Sequence, residues 1–325
     1  MSDFGYYKAS DLLNKEFPTR DFLVRGLLRD RDSILLVGDE KSGKSLIVMQ
    51  LMLHLTVGKD FLGLPITEAC DVSYIQIEGE LPDTQDRIKR LMQTVPCDPT
   101  KLFIMFSKPL SLELLSTTNA LITDIAKHHH PRIIVIDPVY FAMSGGLSDD
   151  EHVRAFLGNI RILKDHFNAA VILVHHTHRV RRTQQGDIIY EGDEAIFGSK
   201  YFKAWADQVF LFTMDKQSKL CILSCSTQRR GDIISKLHLK LHEPEPLRFE
   251  LAGDTIQLMQ LLSSDTATVM ELIKQGGTVS LEELQVRSGI ALRTLHRILS
   301  YLLEHSMIRG LPTRPKKFMI VPKGE

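Results

Sequence analysis

Residues Gly38 to Ser45 read Gly-Asp-Glu-Lys-Ser-Gly-Lys-Ser, a complete G-x-x-x-x-G-K-[ST] phosphate-binding loop, and its flanks restrict the fold as strongly as the loop does. Ser33–Val37 in front is a short apolar run that fits a buried parallel strand. Leu46–Leu55 behind is long and apolar enough for a helix, with Gly58 as its stop. Strand, glycine-rich turn and helix in this order point to a polyphosphate ligand. Gly38 and Gly43 let the backbone turn its N–H groups inward, and the helix N-terminus adds positive partial charge. Asp39, Glu40, Lys41 and Ser42 complete the cradle. Lys44 is expected on the β- and γ-phosphates and the Ser45 hydroxyl on Mg²⁺. A nucleoside triphosphate, taken as ATP with Mg²⁺, is the expected ligand.

A chain of 325 residues can hold two domains, or a large one with an appendage. Forty basic and forty acidic residues cancel, so a nucleic-acid partner would have to be met by a local patch. Cys70, Cys97, Cys221 and Cys225 form no zinc-type pair and read as reduced thiols, with Cys221 and Cys225 at even spacing on the core side of a strand. The N-terminus has no apolar leader and no run approaches a membrane span. The expected location is the cytoplasm, with no membrane partner.

From residue 33 to 213, strand-like runs alternate with helical spacing. The strands are Ser33–Val37, Val72–Ile77, Leu102–Phe106, Arg132–Asp137, Ala170–Val174 and Gln208–Phe212. The helices are Thr84–Thr94, Leu112–His128 and Glu151–Phe167. This predicts an α/β fold with a mostly parallel sheet covered on both faces. Leu220–Cys225 and Ile233–Leu241 follow without a helix and extend the sheet antiparallel. The histidines His128-His-His130 read as a solvated helix end. Helices at Ala267–Gln275, Ser280–Ser288 and Leu292–His305, a turn at Gly289 and a ribbon over Arg309–Pro322 outline a small C-terminal winged helix-turn-helix. From Gly289 onward there are seven Lys or Arg against two acids, among them Arg293, Arg297, Arg309, Arg314, Lys316 and Lys317. The expected units are an arm at 1–30, an ATPase domain at 31–250 and the winged helix at 265–325.

Asp137 ends its apolar run, where a carboxylate can hold the Mg²⁺ water shell. Glu78 and Glu80 just past Val72–Ile77 are the candidates for orienting the attacking water, with Glu78 held more rigidly. His175 and His176 end the strand before them, where a polar pair can touch the γ-phosphate. The long loop His178–Phe197 begins with Arg179, Arg181 and Arg182, which suit a phosphate backbone. Arg229 and Arg230 lie between the two late strands; in a ring, an Arg there can reach a neighbour's γ-phosphate.

Together these residues resemble the RecA-like core ATPases over about residues 20 to 242. The closest branch is the plasmid RepA-type hexameric helicases, with DnaB-type replicative helicases more distant. Phe22–Leu27 is similar to the family's lead-in. Val72–Gly79, followed by Arg87, is similar to the strand bearing the catalytic glutamate, which falls on Glu78. Walker B falls on Asp137, the phosphate-sensing position on His176, and Phe197-Gly-Ser199 resembles the step after the DNA-facing loop. The finger hairpin falls on Thr227–Gly231, with Arg229 as the finger and Thr227 where the family has Lys. The resemblance implies a DNA-stimulated ATPase and helicase, a ring of about six subunits on single-stranded DNA, in replication of a plasmid, phage or other mobile element. A replication initiator or primase is a candidate partner. DNA would meet loops at Ser144–Asp150 and His178–Phe197, with the tail (Arg293, Arg297, Lys316, Lys317) as a second contact. The alternatives are a RecA-type recombinase or DNA-bound regulatory ATPase, a small-molecule P-loop kinase, and an adaptor that binds ATP without hydrolysing it.

Overall fold

The computed structural model describes residues 8–15, 21–107, 109–177, 181–182, 188–189, 198–229, 234, 236–252, 264–290, 292–304, 308–311 and 317–320. A short helix α1 (Ala9–Leu13) and two short strands, β1 (Phe22–Val24) and β2 (Leu28–Arg29), come first. The loop-bearing unit follows as β3 (Ser33–Gly38) and α2 (Lys44–Val57). Next are β4 (Val72–Gln76), α3 (Leu81–Met92), β5 (Leu102–Phe106), α4 (Leu115–His128), β6 (Ile133–Asp137), α5 (Asp150–Phe167) and β7 (Ala170–His176). The two-residue strands β8 (Arg181–Arg182) and β9 (Ile188–Ile189) pair with each other. Then come α6 (Tyr201–Trp205), β10 (Gln208–Met214), β11 (Leu220–Gln228), β12 (Lys236–His242) and β13 (Arg248–Leu251).

Nine of these strands form one sheet in the order β13-β12-β11-β10-β3-β7-β6-β4-β5. The six from β10 to β5 are parallel, and β11, β12 and β13 add antiparallel neighbours at one side. β3 is buried along its whole length, and its side chains alternate between two cores. Ile34 and Leu36 join the core that contains α2; Leu35 and Val37 join the one that contains α4 and α5. Burial on both faces explains why these strands are apolar runs rather than alternating ones. None of the four cysteines is in a disulfide, and Cys221 and Cys225 both pack toward the α2 core, as their spacing implied. Among the described residues no helix is long and apolar enough to cross a membrane.

Some expectations need correction. His129 is not a solvated helix end: its ring stacks on Phe103 at 3.7 Å, because β5 passes beneath the C-cap of α4. α3 begins at Leu81 rather than Thr84, with Pro82 fitting the first turn, where no N–H is required. The extra strand β13 is held by Gln50, a buried side chain of α2. Its amide donates to Phe249 O (3.0 Å) and accepts from Phe249 N (2.7 Å), so the helix supplies the ladder partner. The arm residues Phe4, Tyr6, Tyr7 and Phe17 lie outside the described residues.

The C-terminal residues build a separate core around Val269, Ile273, Leu284, Leu295, Ile298 and Phe318. Its elements are α7 (Ser264–Gly276), β14 (Val279–Ser280), α8 (Leu281–Ser288), α9 (Leu292–Glu304), β15 (Ile308–Leu311) and β16 (Lys317–Ile320), with sheet order β14-β16-β15. Gly289 ends α8 at φ +67°, the left-handed turn that glycine tolerates. A reciprocal cap starts α8: Glu283 N donates to Ser280 Oγ (3.2 Å) and Ser280 N to the Glu283 carboxylate (2.8 Å). Ser280→Ala should therefore cost about 1 kcal/mol. Denaturant unfolding followed in the C-terminal unit is the check; no change would mean the cap is not formed in solution.

Candidate functional site

The loop lies where β3 leaves the C-terminal edge of the sheet. A Cβ on Gly38 would collide with the carbonyl oxygen of Phe212, so only glycine lets β10 pass this close. Gly43 caps α2 at φ +93°, and Phe249 of β13 closes on it from above. The start of α2 therefore opens on a cleft of about 1350 Å³ that also touches β4, α3, β6 and the β11–β12 side.

Lys44 is buried in this cleft. Its ammonium donates to Gly38 O (2.8 Å) and Asp39 O (2.6 Å) and stands 3.5 Å from His176 Nδ1. Burial pulls its pKa down to about 8, against the pull of Asp137, Asp39, Glu40 and Glu78. His176 is also lowered, by burial first and the Lys44 charge second, so a neutral imidazole faces the loop. His175 turns the other way: its ring meets Phe202 edge-on at 4.6 Å in the opposite core, so only one of the pair belongs to the cleft. The next residue, Thr177, was not anticipated. Its N–H donates to Gly38 O (3.2 Å) and its hydroxyl to the Asp39 carboxylate.

Asp137 ends β6 with its carboxylate buried beside the cleft. The Tyr74 hydroxyl donates to Asp137 Oδ2 at 2.6 Å. Burial, with the Asp137 charge added, holds the phenol well above its ordinary pKa, so it remains a donor. Among the described residues no three His, Cys, Asp or Glu side chains cluster around a metal position. The Ser45 hydroxyl and the Asp137 carboxylate, both on the cleft, are hard oxygen donors of the kind that suit Mg²⁺ when phosphates supply further oxygens. The residues present fit that ion.

Glu78 stands just beyond β4, exposed on the cleft wall, and its charge reaches both Lys44 and His176. Gln76 fixes its backbone: the amide donates to Glu78 O (2.8 Å) while its oxygen accepts from Thr84 Oγ1 (2.8 Å). Glu80 also lines the cleft but occupies the N-cap position of α3, where its carbonyl accepts from Thr84 N (3.1 Å) and its side chain caps nothing.

Arg229 is not brought to this cleft. Gln208 of β10 pairs with Ile34 at the start of β3 and with Gln228 at the end of β11. Arg229, one residue on, is thus at the sheet edge opposite Gly38, where its guanidinium donates to Ala204 O. Arg179, Arg230, Arg314 and Lys316 lie outside the described residues. Arg181 and Arg182 form β8, Arg293 and Arg297 lie on α9, Arg309 is exposed on β15 and Lys317 is on β16. The turn before α5 is tied to the far end of the long loop: Ser199 N donates to Leu147 O (2.8 Å) and Ser199 Oγ to Asp150 Oδ1 (2.6 Å).

A family model described as an AAA domain matches residues 5–182. Among solved structures, the ATPase domain of G40p superposes with a TM-score of 0.51 at 12% identity, over 69% of this chain and 86% of that one. A KaiC-like protein from Pyrococcus horikoshii OT3 gives 0.48 at 12% identity, covering 71% and 94%. The RadB recombinase gives 0.46 at 14%, covering 69% and 92%. No curated protein matches the chain.

Proposed function

The chain belongs to the AAA domain family and has the RecA-like P-loop ATPase fold, and from that premise we propose that it hydrolyses ATP in a ring that moves on single-stranded DNA. The triphosphate lies along residues 38–45. Lys44 exchanges its carbonyl partners for phosphate oxygens, and Ser45 and Asp137 would hold Mg²⁺, which would draw charge from the phosphates. Glu78 orients a water for attack on the γ-phosphorus; the bond to the β–γ bridging oxygen breaks, leaving ADP and phosphate. Neutral His176 hydrogen-bonds the γ-phosphate and passes its loss to Thr177 and the loop beyond.

One observation carries the ring. Lys44, Glu78, Asp137 and His176 converge on one cleft, while Arg229 stands at the opposite sheet edge. An arginine so placed can serve a γ-phosphate only in another copy. The loop with Arg179, Arg181 and Arg182 is the moving DNA contact in this reading. The C-terminal unit, a winged helix with Arg293, Arg297, Lys316 and Lys317, docks DNA beside it.

The test is the ATPase rate with and without single-stranded DNA, on material of measured oligomeric mass. An oligomer whose rate rises on DNA is expected. A monomer with a DNA-independent rate would remove the ring and the DNA together.

A further inference from the structure

Tyr74 lies within the run Val72–Gly79 without a role of its own there, yet its hydroxyl holds Asp137. It sits inside β4, in a run of buried residues, with its ring almost wholly enclosed. For packing alone a phenylalanine would serve; a buried phenol is costly unless its O–H finds a partner. Here the oxygen donates to Asp137 Oδ2 at 2.6 Å. With Oδ2 held by the phenol, Oδ1 is the oxygen left for the cleft.

We propose that Tyr74 is a positioning residue for the divalent cation that accompanies the nucleotide, holding the Asp137 carboxylate in the orientation it presents to the cleft. Residues that orient a metal's ligands affect its affinity by about 10- to 100-fold. The inference rests on the nucleotide-binding reading and refines it at one side chain.

Binding of a fluorescent ATP analogue to Tyr74→Phe and to the unaltered protein, in EDTA and across a Mg²⁺ titration, tests it. The constant in EDTA should stay within about twofold, because no phosphate contact is lost. The Mg²⁺ concentration giving half of the metal-dependent tightening should rise about 10- to 100-fold. Both values come from titration midpoints, so they report only folded molecules even if the variant is less stable. An unchanged Mg²⁺ midpoint overturns the inference. So does an equal loss in EDTA and in Mg²⁺, which is what general damage to the cleft produces. If the unaltered protein binds no nucleotide, the function itself is wrong; if it binds with metal dependence and Tyr74→Phe matches it, only the role of Tyr74 falls.

Discussion

Glu78→Gln protein should bind ATP about as tightly as the unaltered chain and hydrolyse it about 10² to 10⁴ times more slowly. The amide keeps the size and the backbone contact from Gln76 but cannot accept the proton of the attacking water. Glu78 stands on an exposed wall of the cleft, so the change leaves the core untouched. Lys44→Ala should differ in kind: it removes a contact present in the ground and transition states, so binding and turnover fall together. Nucleotide titration beside single-turnover phosphate release separates the two. Near-normal turnover in Glu78→Gln, with loss in Glu80→Gln, would show that the carboxylate at the start of α3 does the work instead.

Arg229→Ala should retain ATP binding and lose about 10³ in turnover, the scale of a charge-stabilising arginine supplied from outside a site. Its guanidinium rests on Ala204 O at the sheet edge opposite the cleft of its own chain, so in this reading the loss is felt at a neighbour's site. Mixing Arg229→Ala with Glu78→Gln protein should restore part of the activity, since some interfaces would combine an intact glutamate with an intact arginine. Subunit exchange must be shown in the same mixture. If exchange occurs and no activity returns, Arg229 is not the finger and Arg230 becomes the candidate.

The parts of this fold that depend on unbroken apolar runs could be read before any coordinates. Ile133–Asp137 is an apolar run because both faces of the parallel sheet are covered there, and periodicity reports that directly. Short edge elements left no such trace. β1 and β2 have three and two residues, and β13 is completed by Gln50, a polar residue in the middle of a helix that nothing in the sequence marks as a strand partner. Within the site, Lys44, Asp137 and His176 were legible because each follows a strand at the same sheet edge. Tyr74 and Thr177 were not. Tyr74 reads as one more apolar residue of β4, and its meaning comes from the Asp137 that β6 places beside it. Thr177 reads as the first residue of a loop; its bond to Asp39 depends on the register of β7 against β3, with His176 opposite Gly38.

The position of β3 bears on how the chain can be made. Its two neighbours arrive late in synthesis: Ser33 lies beside Val171, and Ile34 beside Gln208. While the nascent chain emerges, the strand that carries the phosphate loop waits with both ladders open, and long-range pairing of this kind is slow. The family match ends at residue 182, before β10. A polypeptide stopped there would keep every residue of the loop and still lack the strand whose Phe212 carbonyl packs on Gly38. A chain arrested after β7 would leave one side of β3 without its ladder, so the phosphate loop gains its full support only when the last parallel strand has been delivered.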